Sequence, residues 1–277
     1  MALGIGDLVF VEKLENKVND GGMPQTHIHD YYEMYYLVAG KRRYFIDHSL
    51  YDVEPGDIIL VNRGDIHKTV SLEGVENYER YLLNFSEEFV KKAESFFPRS
   101  EFEKIFLLKK MHIPKHHRRN FNALVIKLTQ ECDAGGYKKQ LALVHMTELL
   151  ISLSRFADEK TLRVSDDLTT YENNIQNVCH YICNNYNKPI SLEDIAKIAY
   201  MSPTYFSKKF RKVTGFGFSE YLNNVRIKMA IDMLLETNYS ITEIAMNCGY
   251  QDSNYFGDVF KRVMNMAPST YRKRYSN

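Results

Sequence analysis

Four residues near the start of the chain combine the side-chain types that bind divalent metals. His27 and His29 are separated by one residue, Glu33 follows four residues later, and His67 lies further along the chain. On an extended strand, residues 27, 29 and 33 point to the same side because side chains alternate with a period of two. Imidazole and carboxylate groups suit Fe, Mn, Ni or Zn. The same groups could instead hydrogen-bond a polar small molecule.

Three bulky residues share this strand parity, namely Tyr31, Tyr35 and Leu37. Aromatic rings beside polar groups form a good surface for a sugar or an aromatic acid. The same side chains could equally fill an ordinary protein core. The candidate ligand-binding residues are His27, His29, Tyr31, Glu33, Tyr35 and His67, and the candidate metal ligands are His27, His29, Glu33 and His67.

Short aromatic and β-branched runs between Thr26 and Phe85 predict the antiparallel strands that would hold these residues. In the segment Glu54-Pro55-Gly56-Asp57, proline and glycine stand where a type II turn requires them. Many short strands at this spacing predict a small barrel or jelly roll. The predicted strands cover residues 33–38, 44–47, 50–53, 58–62, 67–71 and 78–85.

After Ser86 the apolar residues recur with helical periodicity, which predicts two or three amphipathic helices before about residue 156. The stretch from Arg155 to Asn173 is poor in large apolar side chains and is typical of an interdomain linker. We therefore predict a domain boundary near residue 165, with domains 1–165 and 166–277.

The second domain contains an internal repeat of about fifty residues. Ile195-Ala196 recurs 49 residues later as Ile244-Ala245, and Tyr205-Phe206 recurs 50 residues later as Tyr255-Phe256. Each copy is expected to form a helix, a turn and a second helix. The predicted N-cap residues of these four helices are Ser191, Ser202, Ser240 and Asp252.

The second helix of the first repeat has two chemically different faces. Phe206, Phe210 and Val213 fall on one face and leave Ser207 and Lys208 on the other. A polar, partly basic face on a short capped helix is what reading of the DNA major groove requires. The alternative is a helical bundle that repeats for packing reasons only.

Three stretches between residues 173 and 275 carry a family resemblance, namely SLEDIAKIAYMSPTYFSKKFRKVTG, SEYLNNVRIKMAIDMLLETNYSITEIAMNCGYQDSNYFGDVFKRV and APSTYRK. Together they resemble the DNA-binding domain of the AraC/XylS family. The resemblance implies seven helices, with two helix-turn-helix units joined by a long helix over residues 219–236. The family usually has glycine after the second recognition helix, whereas this chain has Asn265. Because asparagine tolerates left-handed φ, it can still cap that helix.

This resemblance also supplies the expected DNA contacts. It places base-contacting positions on both recognition helices, with basic residues beside them. The candidate DNA-binding residues are Thr204, Ser207, Lys208, Lys209, Arg211, Lys212, Ser253, Asn254, Gly257, Asp258, Lys261 and Arg262.

The strand-rich region, residues 20–85, resembles the two cupin motifs. In cupin metalloenzymes the matching three histidines and one glutamate bind a divalent metal, whereas AraC-type ligand-binding domains often keep the resemblance without being metalloenzymes. The second motif departs from the cupin pattern, with Asn62 in place of proline and Ser71 where asparagine is common. The matching residues are Gly21, His27, His29, Glu33 and Gly40, then Gly56, Asn62, Gly64 and His67.

Composition adds little to these patterns. The 277 residues carry a net charge of +1, but from Tyr171 onward 13 Lys and Arg stand against 9 Asp and Glu. Such a modest basic excess is compatible with phosphate binding.

There is no signal-type or membrane-spanning apolar run, so we expect a cytoplasmic protein that does not interact with membranes. Four cysteines without a CxxC pair are expected to be reduced thiols.

We therefore expect an α+β multidomain protein, with a cupin-like β-barrel or jelly roll and following helices, then an all-α domain with two helix-turn-helix units. The expected function is transcription regulation, in which a sugar or related metabolite is the effector and no cofactor is required.

Expected partners are promoter half-sites in double-stranded DNA, a second copy of the chain bound through residues 119–156, and RNA polymerase if the protein activates. The alternative is a metal-dependent cupin enzyme, an isomerase or dioxygenase, fused to a DNA-binding domain.

Overall fold

The computed structural model describes residues 8–17, 28–70, 72, 77–133, 138–157 and 169–275. Residues 8–157 form a unit of strands and helices, here called the barrel unit, and residues 169–275 form the helical unit. The predicted domain boundary near residue 165 lies outside the described residues. So do Gly21, His27 and Ser71.

Two antiparallel sheets face each other across the barrel unit. Their strand orders are β1-β7-β2-β5-β8 and β4-β3-β6. The six predicted strands are confirmed as β2 to β7, and the glycine of the predicted type II turn has the required positive φ of 95°. Two strands at the edges of the larger sheet, β1 and β8, were not predicted. The strands are β1 Val9–Lys17, β2 Tyr32–Ala39, β3 Arg42–Ile46, β4 Ser49–Val53, β5 Asp57–Val61, β6 His67–Val70, β7 Asn77–Phe85 and β8 Lys110–His112.

Helices cover the outer face of the larger sheet. Even-numbered residues of β2 and β5, such as Met34 and Leu60, pack against them. The described residues contain four helices here, more than the two or three predicted, and the predicted linker from Arg155 to Asn173 is helical at both of its ends. The helices are α1 Glu87–Ala93, α2 Arg99–Leu107, α3 Arg118–Asp133 and α4 Lys138–Ala157.

The helical unit has the predicted double repeat. All four predicted N-cap side chains accept a hydrogen bond from a backbone N–H in the first turn of their helix. The residues after the two recognition helices, Gly215 and Asn265, have φ values of 79° and 57°. Asparagine therefore occupies the left-handed C-cap position, as predicted. The helices are α5 Thr170–Asn185, α6 Leu192–Ile198, α7 Pro203–Thr214, α8 Phe218–Glu236, α9 Ile241–Asn247, α10 Ser253–Met264 and α11 Pro268–Tyr275.

The thiols of Cys179, Cys183 and Cys248 are free, and burial raises the pKa of each. This agrees with the prediction of reduced thiols. The side chain of Cys132 lies outside the described residues. In the part of the chain that the structure describes, no helix is long and apolar enough to cross a membrane.

The two units share an apolar contact. Phe45 of β3 belongs to the same buried cluster as Phe216 and Tyr221 of the helical unit. Its ring centroid lies 6.2 Å from that of Phe216 and 5.7 Å from that of Tyr221. The packing of buried aromatic rings makes this contact apolar at its centre.

A charged group lies beside this apolar contact. Lys228 Nζ of α8 donates to Asp47 Oδ1 at 2.9 Å and to Asp65 Oδ1 at 3.2 Å, and the Tyr221 hydroxyl donates to the Asp47 carbonyl at 2.5 Å. Burial acts to lower the pKa of Lys228, but the two carboxylates outweigh it and the pKa is raised. The lysine therefore stays charged. We call the contact of Phe45, Asp47 and Asp65 with Tyr221 and Lys228 the interdomain interface.

We expect Lys228→Met to lower the free energy of unfolding by about 1–3 kcal/mol, because it removes a cation that compensates two carboxylates. The loss is smaller than for a fully buried pair, since 30% of the Lys228 side chain is exposed. Urea and thermal unfolding followed by circular dichroism measure the effect. Lys197→Met, which changes an exposed lysine of α6, is the matched control. Equal losses in the two variants would show that the ion pair does not hold the units together.

Candidate ligand site and nucleic-acid interface

Strand alternation gives the barrel unit a polar interior. Odd-numbered residues of β2 and even-numbered residues of β3 and β7 point between the two sheets, because neighbouring side chains leave opposite faces of a strand. We call this space the barrel interior. It is lined by Glu33, Tyr35, Leu37, Arg42, Tyr44, Ile46, Val53, Ile59, Val61, His67, Thr69, Arg80, Leu82 and Asn84, all of which are buried.

Three of the predicted ligand-binding residues meet at one end of the barrel interior. Glu33 lies near the start of β2, His67 begins β6, and His29 lies in the segment that leads into β2. Candidate metal-binding atoms of these three residues lie within 4.8 Å of one another. The structure therefore brings together three of the four predicted metal ligands. The fourth, His27, lies outside the described residues.

The hydrogen bonds of the two imidazoles fix their tautomers. Nδ1 of His29 lies 2.9 Å from the Tyr31 carbonyl oxygen, and Nδ1 of His67 lies 2.9 Å from that of Asp65. A carbonyl oxygen can only accept, so both Nδ1 atoms donate and each neutral ring keeps an acceptor at Nε2. These Nε2 atoms lie 3.4 and 3.9 Å from Glu33 Oε2. Two acceptors beside a carboxylate suit a hydrogen-bond donor, a shared proton or a metal ion between them.

These residues fit a divalent metal in chemistry and orientation. Two imidazole nitrogens and one carboxylate are suitable ligands for Fe, Mn, Ni or Zn. The Nδ1 bonds orient both rings, as hydrogen bonds to metal-bound histidines generally do.

The predicted tyrosines have different surroundings. Tyr31 stacks on the His29 ring with centroids 3.7 Å apart, and it is partly exposed. Tyr35 is fully buried in the barrel interior, where its ring lies 4.9 Å from that of Tyr44. The Tyr44 hydroxyl donates to Glu33 Oε1 at 3.3 Å. Burial raises the pKa of Tyr31, Tyr35 and Tyr44, so all three carry a neutral hydroxyl.

Sequence reasoning missed three polar residues of the barrel interior. Arg42, Arg80 and Asn84 are 3%, 8% and 1% exposed, although charged and amide side chains usually face solvent. The available signal was parity, since Arg42 shares the face of Tyr44. Parity becomes informative only when it is known which face of each strand is enclosed.

The recognition helices α7 and α10 present polar side chains to solvent. Thr204, Ser207 and Lys208 are exposed on α7, and Asn254 and Asp258 are exposed on α10. The apolar faces of both helices are buried in the helical unit. Among the other predicted DNA contacts, those exposed are Arg211, Lys212, Lys261 and Arg262, and those partly buried are Lys209, Ser253 and Gly257.

One predicted DNA contact has a structural role. Lys209 Nζ lies 4.3 Å from the ring centroid of Tyr171 on α5 and 5.4 Å from that of Tyr205 on α7. Cation–π contacts of this kind attach a lysine to its own domain. Lys209 is therefore a weaker candidate for DNA contact than Lys208.

Comparison with known proteins supports both units. Residues 11–134 match the family described as the AraC-like ligand binding domain, and residues 195–274 match a family described as a helix-turn-helix domain. The regulatory protein PocR of Salmonella typhimurium is 34% identical over 106 residues, which are 38% of this chain and 35% of PocR. The chain thus spans about a third of the length of that relative.

Two other relatives match longer stretches. The transcriptional activator RhaR of Mannheimia succiniciproducens is 23% identical over 261 residues, covering 90% of this chain and 87% of RhaR. The lactose operon transcription activator of Staphylococcus xylosus is 28% identical over 158 residues, covering 57% of this chain and 56% of the relative. The chain therefore combines an AraC-like ligand-binding domain with a helix-turn-helix domain, and the relatives that it matches are named as transcription regulators.

Proposed function

We propose that this protein is a transcription regulator that binds promoter DNA through α7 and α10 and binds a small-molecule effector in the barrel interior. The observation that carries the proposal is that one chain joins a polar, buried barrel interior to two capped helix-turn-helix units with exposed polar faces. Since bacterial promoters lie in the cytoplasm, the protein acts there.

The relatives support further details of this proposal. One is named as the lactose operon activator, which favours a sugar or related metabolite as effector. Two are named as activators, which favours activation through contact with RNA polymerase. A cupin isomerase or dioxygenase finds no support among these relatives, whose names are those of regulators.

The geometry of the helical unit suits two neighbouring segments of major groove. Helix α8 joins the two helix-turn-helix units and has 19 residues. At about 1.5 Å per residue it is roughly 28 Å long, close to the ~34 Å of one turn of DNA. The two recognition helices can therefore contact one face of the duplex.

The two recognition helices are expected to contribute unequally to affinity. Lys208 can donate to guanine or to phosphate, whereas Asp258 is repelled by phosphate and gains only by accepting from a cytosine amino group. Lys208→Ala should weaken specific binding roughly five- to a hundredfold, the effect of losing about 1–3 kcal/mol. Asp258→Ala should leave affinity unchanged or raise it, particularly for non-specific DNA, while relaxing preference at one base pair.

Gel-shift titration at fixed salt measures both variants on one duplex, selected by the wild-type protein from a random pool. A second, scrambled duplex reports non-specific binding. A larger loss from Asp258→Ala than from Lys208→Ala would overturn this division between the helices.

We also propose that His29, Glu33 and His67 hold a divalent metal. The bound ion would place a positive charge beside the two acceptor nitrogens and the carboxylate, and it could bind an oxygen of the effector. The other possibility is that these residues hydrogen-bond the effector directly.

Protein purified without chelator should contain near-stoichiometric Fe, Mn, Ni or Zn by elemental analysis, and His29→Ala should lose it. His112→Ala, which changes a histidine paired with Asp57 elsewhere in the barrel unit, should retain it. Wild-type protein that contains no metal and still responds to its effector would assign the cluster to hydrogen bonding.

We propose further that α3 and α4 form a homodimer contact, so that two copies bind two half-sites. Most apolar residues of these helices pack against the larger sheet. Fewer of them are therefore available for a dimer contact than the sequence predicted. Three apolar side chains nevertheless remain on the outside, namely Ile126, Leu141 and Val144, with exposures of 44%, 38% and 58%.

The double variant Ile126→Glu/Val144→Glu should sediment as a monomer at micromolar concentration, where the wild type sediments as a dimer, because charges disfavour an apolar interface. Leu107→Glu, at an exposed leucine of α2, is the control and should leave the dimer intact. A wild type that stays monomeric with and without DNA would contradict the dimer.

A further inference from the structure

The barrel interior has two chemically different ends. His29, Glu33 and His67 form one end. At the other end, Arg80 lies opposite Leu37 in the pairing of β7 with β2, four residues along from Glu33. The Arg80 guanidinium reaches back toward the middle, with its Cζ atom 5.2 Å from the Tyr35 ring centroid.

A second guanidinium lies at the same end. Arg42 on β3 of the smaller sheet places its Cζ atom 4.4 Å from the ring centroid of Tyr78 on β7 of the larger sheet. Arg42 and Arg80 both act electrostatically on Tyr35 and Tyr44. The two arginines therefore approach the middle of the barrel interior from opposite sheets.

Several polar atoms at this end have no hydrogen-bond partner among the described residues. They are Arg42 Nε, Arg80 Nη1 and the Tyr35 hydroxyl, and each is shielded from solvent. A buried polar atom without a partner is rare, since it loses its hydrogen bonds to water. Three such donors in the barrel interior are available to a bound group that accepts hydrogen bonds.

The charges in the barrel interior are unequal. Burial acts to lower the pKa of Arg80, but neighbouring groups that include the Glu33 carboxylate raise it overall, so the guanidinium is charged. Two buried guanidinium groups face the one carboxylate of Glu33, which already lies beside the imidazoles and the Tyr44 hydroxyl. Buried charges are normally paired. Among the residues that the structure describes, no carboxylate pairs with Arg42 or Arg80, so the arginine end has room for an anion.

We propose that the effector is a sugar acid of monosaccharide size, whose carboxylate binds Arg42 and Arg80 and whose hydroxyls face His29 and Glu33. This inference rests on the proposed effector function. Planar guanidinium groups match a carboxylate in shape and charge. A neutral sugar would bring a counter-charge to neither guanidinium group.

The middle of the barrel interior supports the sugar part of this assignment. The Tyr35 and Tyr44 rings lie between the two ends and can pack against the C–H face of a sugar. Leu37, opposite Arg80, is four residues or about 13 Å from Glu33 along β2, and the Arg80 guanidinium covers about half of this distance by reaching back to Tyr35. The remaining distance of about 7 Å suits one sugar ring rather than a long chain.

Matched pairs of ligands test the charge. Thermal unfolding is measured with D-glucuronate and D-glucose, D-galacturonate and D-galactose, and D-gluconate and D-sorbitol, at constant ionic strength. At least one acid should raise the Tm by about 5 °C at a concentration well above its Kd, and its neutral partner should not. Sodium phosphate, added alone, reports binding of a free anion.

Variants test the residues. Arg80→Gln and Arg42→Gln should each weaken binding of that acid at least tenfold by calorimetry, while Arg80→Lys, which keeps the charge, should retain part of it. Arg155→Gln, at an exposed arginine of α4, should bind as the wild type does. Circular dichroism and DNA binding establish that each variant is folded, and if Arg80→Gln does not fold, Arg42→Gln decides.

The outcomes separate this inference from the proposed function. Equal binding of a neutral sugar and its acid, or acid binding that survives Arg42→Gln, overturns the carboxylate assignment and leaves an effector site. A shift with phosphate as large as with any acid overturns the sugar part. If none of the three acids shifts the Tm, the inference is wrong, whereas loss of DNA binding by the wild type would contradict the regulator itself.

Discussion

The two-residue period of strands β3 and β6 determines what both sides of the smaller sheet can do. Tyr44 and His67 point into the barrel interior, whereas their neighbours Phe45 and Lys68 contact Phe216 of the helical unit. Adjacent side chains leave opposite faces of a strand, so the wall that lines the candidate effector site also binds the DNA-binding unit. A shift of one residue in the pairing of these strands would exchange the two faces and destroy both functions.

A polar barrel interior is destabilising, and the outer face of the larger sheet compensates for it. Each buried polar atom without a partner costs about 1–3 kcal/mol, whereas burying one large apolar side chain contributes about 1.5–3 kcal/mol. On the outer face of β2, Met34 and Tyr36 pack against the helices, as do Leu83 and Phe85 of β7. The same strands thus carry the stabilising core on one face and the candidate site on the other. Departures from good packing are expected where a protein binds its ligand.

Local signals predicted most of the elements, because caps and turns depend on a few neighbouring residues. Ser202 caps α7 as expected, whereas α2 has no such start signal, because it follows Pro98, which makes no side-chain cap bond. Strand β1 was missed because an edge strand that carries charged residues such as Lys13 has weak apolar alternation. Arg42 and Arg80 were not recognised because their proximity depends on two sheets facing each other. The DNA-reading faces could be predicted since each lies on one helix, but the candidate effector site could be predicted only in part.

The effector site and the interdomain interface are joined through Asp65. Its carbonyl oxygen accepts from Nδ1 of His67, and its carboxylate accepts from Lys228 and pairs with Lys109. A ligand that moved the His67 ring would therefore act one residue from an ion pair that holds α8, the helix between the two DNA-reading units. Contact of this kind is necessary for control but not sufficient. A ligand shifts the arrangement of two domains only by the difference between its affinities for the alternative arrangements. Strands β3 and β6 are the connection through which such a difference would act, because residues on their two faces cannot move independently.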